Sequence, residues 1–95
     1  MNISDYISTT KMSSDYKPRV LLALLGSPKH TATDSELSAI TGIKREVINN
    51  MVGKVLTQNG ATARTADKVY TIALEVDKNS RASCISRLET FKGAK

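Results

Sequence analysis

Five residues that can take part in nucleic-acid binding lie within one short stretch of the chain. Arg45 can form a bidentate pair with guanine, and Asn49 and Asn50 can do the same with adenine, at base edges in the major groove. Lys44 is a mobile point charge that suits a phosphate group. Glu46 can accept a hydrogen bond from a cytosine amino group, or it can simply balance the charge of its basic neighbours. These residue types indicate contact with a nucleic acid.

Gly53 and Lys54 continue this stretch towards the C-terminus. Lys54 suits a phosphate. Glycine inside a helix costs up to about 1 kcal/mol relative to alanine, so Gly53 indicates the close approach of another backbone. That neighbour is either a DNA strand or another element of the same protein, and both alternatives stay open. Any exposed helix face is polar, but between Thr41 and Asn59 one acidic residue accompanies three basic ones, which favours an anionic partner.

Two predicted helices position these residues. Residues 33–36 match a capping box, which predicts a helix from residue 34 to residue 39 or 40 that buries Leu37 and Ile40. Gly42 follows at a tight turn that requires a positive φ. The next helix is predicted over residues 44–58. At about 100° per residue its apolar residues share one side, and they are Val47, Ile48, Met51, Val52, Val55 and Leu56.

A β-hairpin is predicted after this helix. Residues 61–65 and 69–74 read as two strands joined by a turn at residues 66–68, because Tyr70, Ile72 and Leu74 alternate with smaller or polar residues. Arg64 and Lys68 therefore lie on or near the hairpin tip. An ordinary solvated turn explains Lys68 at least as well as a binding role does.

The ends of the chain are predicted to carry additional elements. Residues 1–14 are interpreted as a flexible N-terminal arm or a small docking helix with Ile3, Tyr6 and Ile7 on one side. The first helix of the main domain, roughly Lys17 to Leu25, is apolar on almost every side and is therefore predicted to be buried. Ser13, Ser14 or Asp15 can cap it.

A C-terminal helical extension is predicted over residues 77–95, with a helix at about residues 80–91. Ile85, Leu88 and Phe91 give this helix an apolar side that is too short to be stable alone in water. It is expected either to form a homodimer or to dock on the first helix of the main domain, residues 15–76.

The two helices joined at Gly42 and followed by a hairpin resemble the winged helix-turn-helix family of DNA-binding domains over about residues 16–74. Scaffold positions of that family are occupied by Leu37, Gly42, Ile43, Val47 and Met51. Ser38 stands where a small residue lets the helices approach. The resemblance implies an α+β fold: a three-helix bundle with a two-stranded β-hairpin wing, plus short terminal helices.

The resemblance also implies a mode of binding. The helix over residues 44–58 would enter the major groove with Arg45, Asn49 and Asn50 at base edges. The DNA backbone would be held by Lys44, Lys54, Arg64 and Lys68, of which the hairpin residues commonly reach the minor groove or its flanking phosphates in this family.

The expected function is sequence-preferring binding of double-stranded DNA, as a small transcriptional regulator or accessory DNA-binding protein of a size that suits a phage or plasmid. The alternative is a winged helix used as a protein-interaction module without DNA binding. DNA binding needs a continuous positive surface, whereas a protein interface should expose an apolar patch. RNA or single-stranded DNA is a weaker possibility, because none of the three tyrosines or the one phenylalanine lies in a basic strand.

The composition also bears on the other classes of protein function. The formal charge of +5 favours an acidic partner. One histidine, His30, and one cysteine, Cys84, do not make a zinc site or an internal disulfide. No phosphate-binding glycine loop or nucleophilic triad is evident, so we expect no enzyme, no cofactor and no small-molecule ligand. No signal peptide or membrane-spanning run is evident, so a cytoplasmic location without membrane contact is expected.

Overall fold

A computed structural model describes residues 2–10, 16–76 and 78–93. The fold is α+β, as predicted. The described residues form five helices, which are α1 (Ile3–Thr9), α2 (Tyr16–Leu25), α3 (Asp34–Thr41), α4 (residues 45–58) and α5 (Lys78–Gly93). They also form three strands, which are β1 (Thr31–Thr33), β2 (Thr62–Arg64) and β3 (Val69–Ile72).

The strands form one antiparallel sheet in the order β1-β3-β2. Ala32 pairs with Tyr70, and Ala63 pairs with Thr71. The prediction of a two-stranded hairpin was therefore incomplete, because β1 adds a strand to the other edge of β3. With three residues, β1 is too short to show an alternating pattern, and only its partner β3 identifies it as a strand.

The core is organised around α2, whose residues Val20, Leu21, Leu24 and Leu25 are fully buried. The prediction of a buried helix is confirmed, and the helix begins at Tyr16. It packs against α3, α4, α5 and the sheet. Because α2 is apolar on almost every side, it can contact several elements at once.

The N-terminal residues belong to this core. Asn2 caps α1 by accepting a hydrogen bond from the Asp5 N–H at 2.8 Å, and Ile3, Tyr6 and Ile7 are buried. The expectation of a flexible arm is thus wrong for residues 3–9, where the alternative of a docking helix describes the chain. The predicted capping residues of α2, at positions 13–15, lie outside the described residues.

The C-terminal helix α5 packs on α2 within the same chain. Cys84 and Leu88 are buried, and the Arg81 guanidinium donates to the Leu25 carbonyl at the C-terminus of α2 over 2.6 Å. Intrachain docking, one of the two predicted roles, is therefore what this segment does in the structure. The side chain of Phe91 lies outside the described residues, and the predicted homodimer stays a prediction.

The predicted helix-turn-helix residues adopt the expected local geometry. The Thr33 hydroxyl accepts from the Glu36 N–H at 3.1 Å, and the Glu36 carboxylate accepts from the Thr33 N–H at 2.9 Å. Gly42 ends α3 with φ of 76°. Leu37 is buried as predicted, but Ile40 is 60% exposed because it lies at the rim of an open depression between α3 and α2.

Helix α4 contains a π-helical segment, Ile48–Val52, between Arg45–Val47 and Gly53–Gln58. The Gly53 N–H bonds to the carbonyl of Ile48, five residues back. A π turn holds one residue more than an α turn, so the residues after it move round the helix by one position. Met51, inside the π-helical segment, is 59% exposed, and Val55, after it, is 36% exposed, contrary to the prediction that both belong to the apolar side.

Candidate nucleic-acid interface

An open depression of about 650 Å³ lies where α3, α4 and the hairpin turn meet. It brings together six of the nine predicted site residues, namely Lys44, Arg45, Glu46, Asn49, Asn50 and Lys68. The three others, Gly53, Lys54 and Arg64, do not line it. The N-terminal half of α4 and the turn between β2 and β3 therefore share one surface.

Lys44 and Lys68 are placed at this depression by two turns of the backbone. Lys44 is the exposed N-cap of α4, two residues after the left-handed Gly42. Lys68 ends the hairpin turn with φ of 62°, and its carbonyl accepts from the Asp34 N–H at 3.0 Å. This bond ties the hairpin turn to the first residue of α3. Both lysine side chains stay exposed.

Arg45 is mostly in solvent, with 65% of its side chain exposed. Its Nε lies 3.5 Å from an Asp34 carboxylate oxygen, and its Nη1 donates to the Ser35 hydroxyl at 3.4 Å. One edge of the guanidinium group thus faces the N-terminal turn of α3, and the rest of the side chain remains accessible to a partner.

Asn49 uses both ends of its amide within the protein. Its Nδ2 donates to Asp34 Oδ2 at 2.8 Å, and its Oδ1 accepts from the Tyr70 hydroxyl at 2.8 Å. The hydrogen bond from Asn49 lowers the pKa of Asp34, with further lowering by the Ser35 N–H and the charge of Arg45, while burial acts in the opposite direction. Each bond of the Asn49 amide uses one of the two hydrogens of Nδ2 or one of the two lone pairs of Oδ1, and together they restrict how Asn49 can present its amide to an adenine.

Arg64 turns inward from the end of β2. Its Nη1 donates to the Asn49 carbonyl at 2.7 Å and to the Tyr70 hydroxyl at 3.1 Å. The guanidinium carbon lies 5.7 Å from the centroid of the Tyr70 ring. Arg64 therefore joins β2 to the π-helical segment of α4 and is half-buried rather than extended from the hairpin tip.

Gly53 allows the sheet to approach α4 closely. A Cβ atom at this position would lie 2.6 Å from the Tyr70 hydroxyl oxygen and 2.5 Å from the Ile48 carbonyl oxygen. Of the two predicted readings of Gly53, the structure thus agrees with close packing inside the protein.

Sequence reasoning missed two residues of this region, Asp34 and Tyr70. The sequence marks Asp34 only as part of the capping box, because its proximity to Arg45 arises only on folding. Tyr70 was assigned to the core by its alternation with Thr71, but a buried phenol also needs a hydrogen-bond partner. That requirement was the available signal for the network with Asn49.

The outer surface of α4 is mixed in character. Asn50, Glu46 and Lys54 are exposed on it. Beside them Met51 and Val55 line a second open depression of about 160 Å³ together with Tyr16 and Lys17. A polar and mostly basic area at the start of α4 therefore adjoins an apolar strip.

The described residues hold no cluster of three or more potential metal-binding side chains. None of the helices they form has the length and apolar character needed to cross a bilayer. Comparison with protein-family models, curated proteins and solved structures found no significant match.

Proposed function

We propose that this chain is a winged helix-turn-helix protein that binds double-stranded DNA with sequence preference, as a small cytoplasmic transcriptional regulator or accessory DNA-binding protein. The observation that carries the proposal is the depression shared by Lys44, Arg45, Asn50 and Lys68. Among the described residues that line it are three cations, two amides (Asn49 and Asn50) and one carboxylate, Glu46. This combination suits phosphates and base edges together.

The proposed roles follow from exposure. An α-helix is about 10–12 Å across and matches a major groove about 12 Å wide. Arg45 and Asn50 are the exposed side chains on α4 that suit base edges. Lys44, Lys54 and Lys68 suit phosphates. Asn49 and Arg64, which bond within the protein, would act by fixing α4 against the sheet.

A polarisation titration with a random-sequence duplex tests the proposal. Affinity should fall linearly with salt on logarithmic axes, with a slope of about 0.9 for each phosphate neutralised. Lys44→Gln and Lys68→Gln should each lower the slope by about one. Lys29→Gln is the matched control, because Lys29 is also exposed and also has positive φ, 54°, but does not line the depression.

The second candidate is a protein-interaction module. It is favoured by the exposed apolar side chains Met51, Val55 and Tyr16, which line one depression. The same titration separates the two functions. A chain that fails to bind duplex DNA even at low salt is not a DNA-binding protein, and the protein-interaction proposal then replaces the first. A homodimer through the C-terminal segment is compatible with either.

A further inference from the structure

Asp34 lies behind the side chains that face the proposed DNA surface. It is the first residue of α3, and 13% of its side chain is exposed. One carboxylate oxygen, Oδ2, is 2.8 Å from the Asn49 amide nitrogen and 3.5 Å from Arg45 Nε. The other oxygen accepts from the Ser35 N–H at 2.8 Å. A single carboxylate thus contacts two of the predicted base-reading residues.

The carboxylate is itself held in place from the core. Asn49 joins it to the hydroxyl of Tyr70, a fully buried residue, and Arg64 bonds to both Asn49 and Tyr70. The hydrogen bond from Asn49, with the Ser35 N–H and the charge of Arg45, lowers the pKa of Asp34, so the carboxylate is ionised at neutral pH. Asp34 is therefore a fixed negative charge attached to the rigid part of the molecule.

This arrangement restricts Arg45. A free arginine side chain has many rotamers, and binding must overcome the entropy of restricting them. The carboxylate draws the Nε edge of the guanidinium group towards α3, while 65% of the side chain remains exposed. A side chain that is oriented before binding loses less entropy when it meets its partner, and it tolerates fewer partners.

Resting on the DNA-binding function proposed above, we propose that Asp34 is a positioning residue that determines specificity. It orients Arg45 so that the outer edge of the guanidinium group meets a guanine in the major groove. The same carboxylate lies beside the basic residues and weakens binding to phosphates in general. Asp34 therefore lowers affinity for random DNA and raises discrimination at the base pair that Arg45 contacts.

The two effects have opposite signs, which makes the role measurable. In the Asp34→Asn variant, affinity for a random-sequence duplex should rise by up to about eightfold at 0.1 M salt, the effect of about one charge. At the same time the preference for guanine at one position should fall by about fivefold to 150-fold, equivalent to about 1–3 kcal/mol. A purely structural role would lower both quantities.

The experiment selects bound sequences from a pool of duplexes with a randomised 20-base-pair segment, and it measures random-duplex affinity by polarisation. The full-length variants are Asp34→Asn, Arg45→Ala, their combination, and Glu36→Gln. Glu36 lies in the same turn of α3 and does not line the depression. A glutamine there keeps the capping box and removes the same charge, so it controls for general electrostatics.

Asp34→Asn and Arg45→Ala should flatten the preference at the same base pair, and the double variant should be no flatter than Arg45→Ala. Glu36→Gln should keep the preference of the parent. The inference is overturned if Asp34→Asn keeps the preference of the parent, or if it matches Glu36→Gln in both measurements. The DNA-binding function would still stand in that case, because the parent would have selected a site. A parent that enriches no sequence overturns the proposed sequence preference and this inference together.

A measurement without DNA tests the orientation of Arg45 directly. In the free protein the Arg45 Nε–H group should show restricted motion in ¹⁵N relaxation, because Asp34 holds it. Restriction should be lost in Asp34→Asn and kept in Glu36→Gln. An Arg45 side chain that is equally mobile in the parent and in Asp34→Asn contradicts the inference even if the protein binds DNA.

Discussion

Asn49 and Asn50 are neighbours of the same residue type, and their environments separate their roles. Asn50 is exposed, whereas Asn49 has its amide bonded to Asp34 and Tyr70. Asn49 is the nearest acceptor for the Tyr70 hydroxyl proton, at 2.8 Å. Without it the proton would have only the Ile48 carbonyl at 3.4 Å, and a buried donor with a poor partner is costly. At this scale the bond to a buried phenol restricts Asn49 and leaves Asn50 as the more accessible amide.

Tyr70→Phe tests this dependence. The change removes the hydroxyl that contacts Asn49 and Arg64, so the free energy of unfolding should fall by about 1–3 kcal/mol. Tyr6→Phe is the control, because the Tyr6 hydroxyl accepts one longer bond, 3.3 Å, from the exposed Asn59. Urea unfolding of both variants checks the prediction, and equal losses would contradict it.

Asp34 predicts a pH dependence of stability. Its folded-state pKa lies below the ordinary value of 3.8, so the folded state binds a proton more weakly than the unfolded state does. The contribution of Asp34 to the free energy of unfolding is therefore complete at a pH above its pKa in the unfolded state. It is lost as the pH falls through its pKa in the folded state. Asp34→Asn should therefore be less stable than the parent at about pH 6, and the difference should shrink towards about pH 2–3. A difference that stays constant under acid in urea unfolding would contradict this prediction.

Helix α4 shows which properties of an element its sequence predicts and which it does not. Its extent, its start after Gly42 and the burial of Ile48, Val52 and Leu56 agree with the prediction. The exposure of Met51 does not, because the π turn around it has no local sequence signal. Carbonyl groups of that turn accept from Arg64 and Tyr70 of the sheet, contacts that form only on folding. Strand β1 was not predicted for a similar reason, because its pairing partner β3 is distant in the sequence. The contacts of Asp34 likewise depend on residues brought together only by folding.

Gly53→Ala tests the fit between α4 and the sheet. Alanine should stabilise a helix by up to about 1 kcal/mol, but here its Cβ would lie 2.6 Å from the Tyr70 hydroxyl oxygen. Overpacking of this kind costs about 1–3 kcal/mol, so thermal stability should fall. Gly26→Ala is the control, because its Cβ would make an ordinary 3.5 Å contact with the Leu22 carbonyl. Gly53→Ala should cost less in a Tyr70→Phe background than in the parent, because one of its close contacts is then removed. A stabilised Gly53→Ala would refute the proposed fit.

At the scale of the whole molecule, both terminal helices contribute to one hydrophobic core. Helix α1 contributes Ile3 and Ile7, and α5 contributes Cys84 and Leu88. A domain of this size buries little surface for its length, so these additions matter for stability. A dimer through α5 would have to use side chains other than the buried ones, and sedimentation of the full chain tests that prediction.

Leu88→Ala measures what the docking of α5 contributes. Truncation of a fully buried leucine costs about 2–5 kcal/mol, and Leu88 is 0% exposed. Chemical unfolding should show this loss, while Arg87→Ala, exposed on the same helix, should change stability by less than about 0.5 kcal/mol. Similar values for the two variants would mean that α5 is not part of the cooperative unit.

The thiol of Cys84 can report how often α5 separates from the core. It is the single cysteine of the sequence and is 3% exposed in the core to which α5 contributes. A thiol reagent can reach its sulfur only when α5 lifts away, so the labelling rate divided by that of an unprotected thiol gives the equilibrium constant for opening. If α5 opens independently, labelling should be faster than global unfolding permits. Labelling that tracks urea unfolding at every concentration would instead mean that the helix leaves only when the entire protein unfolds.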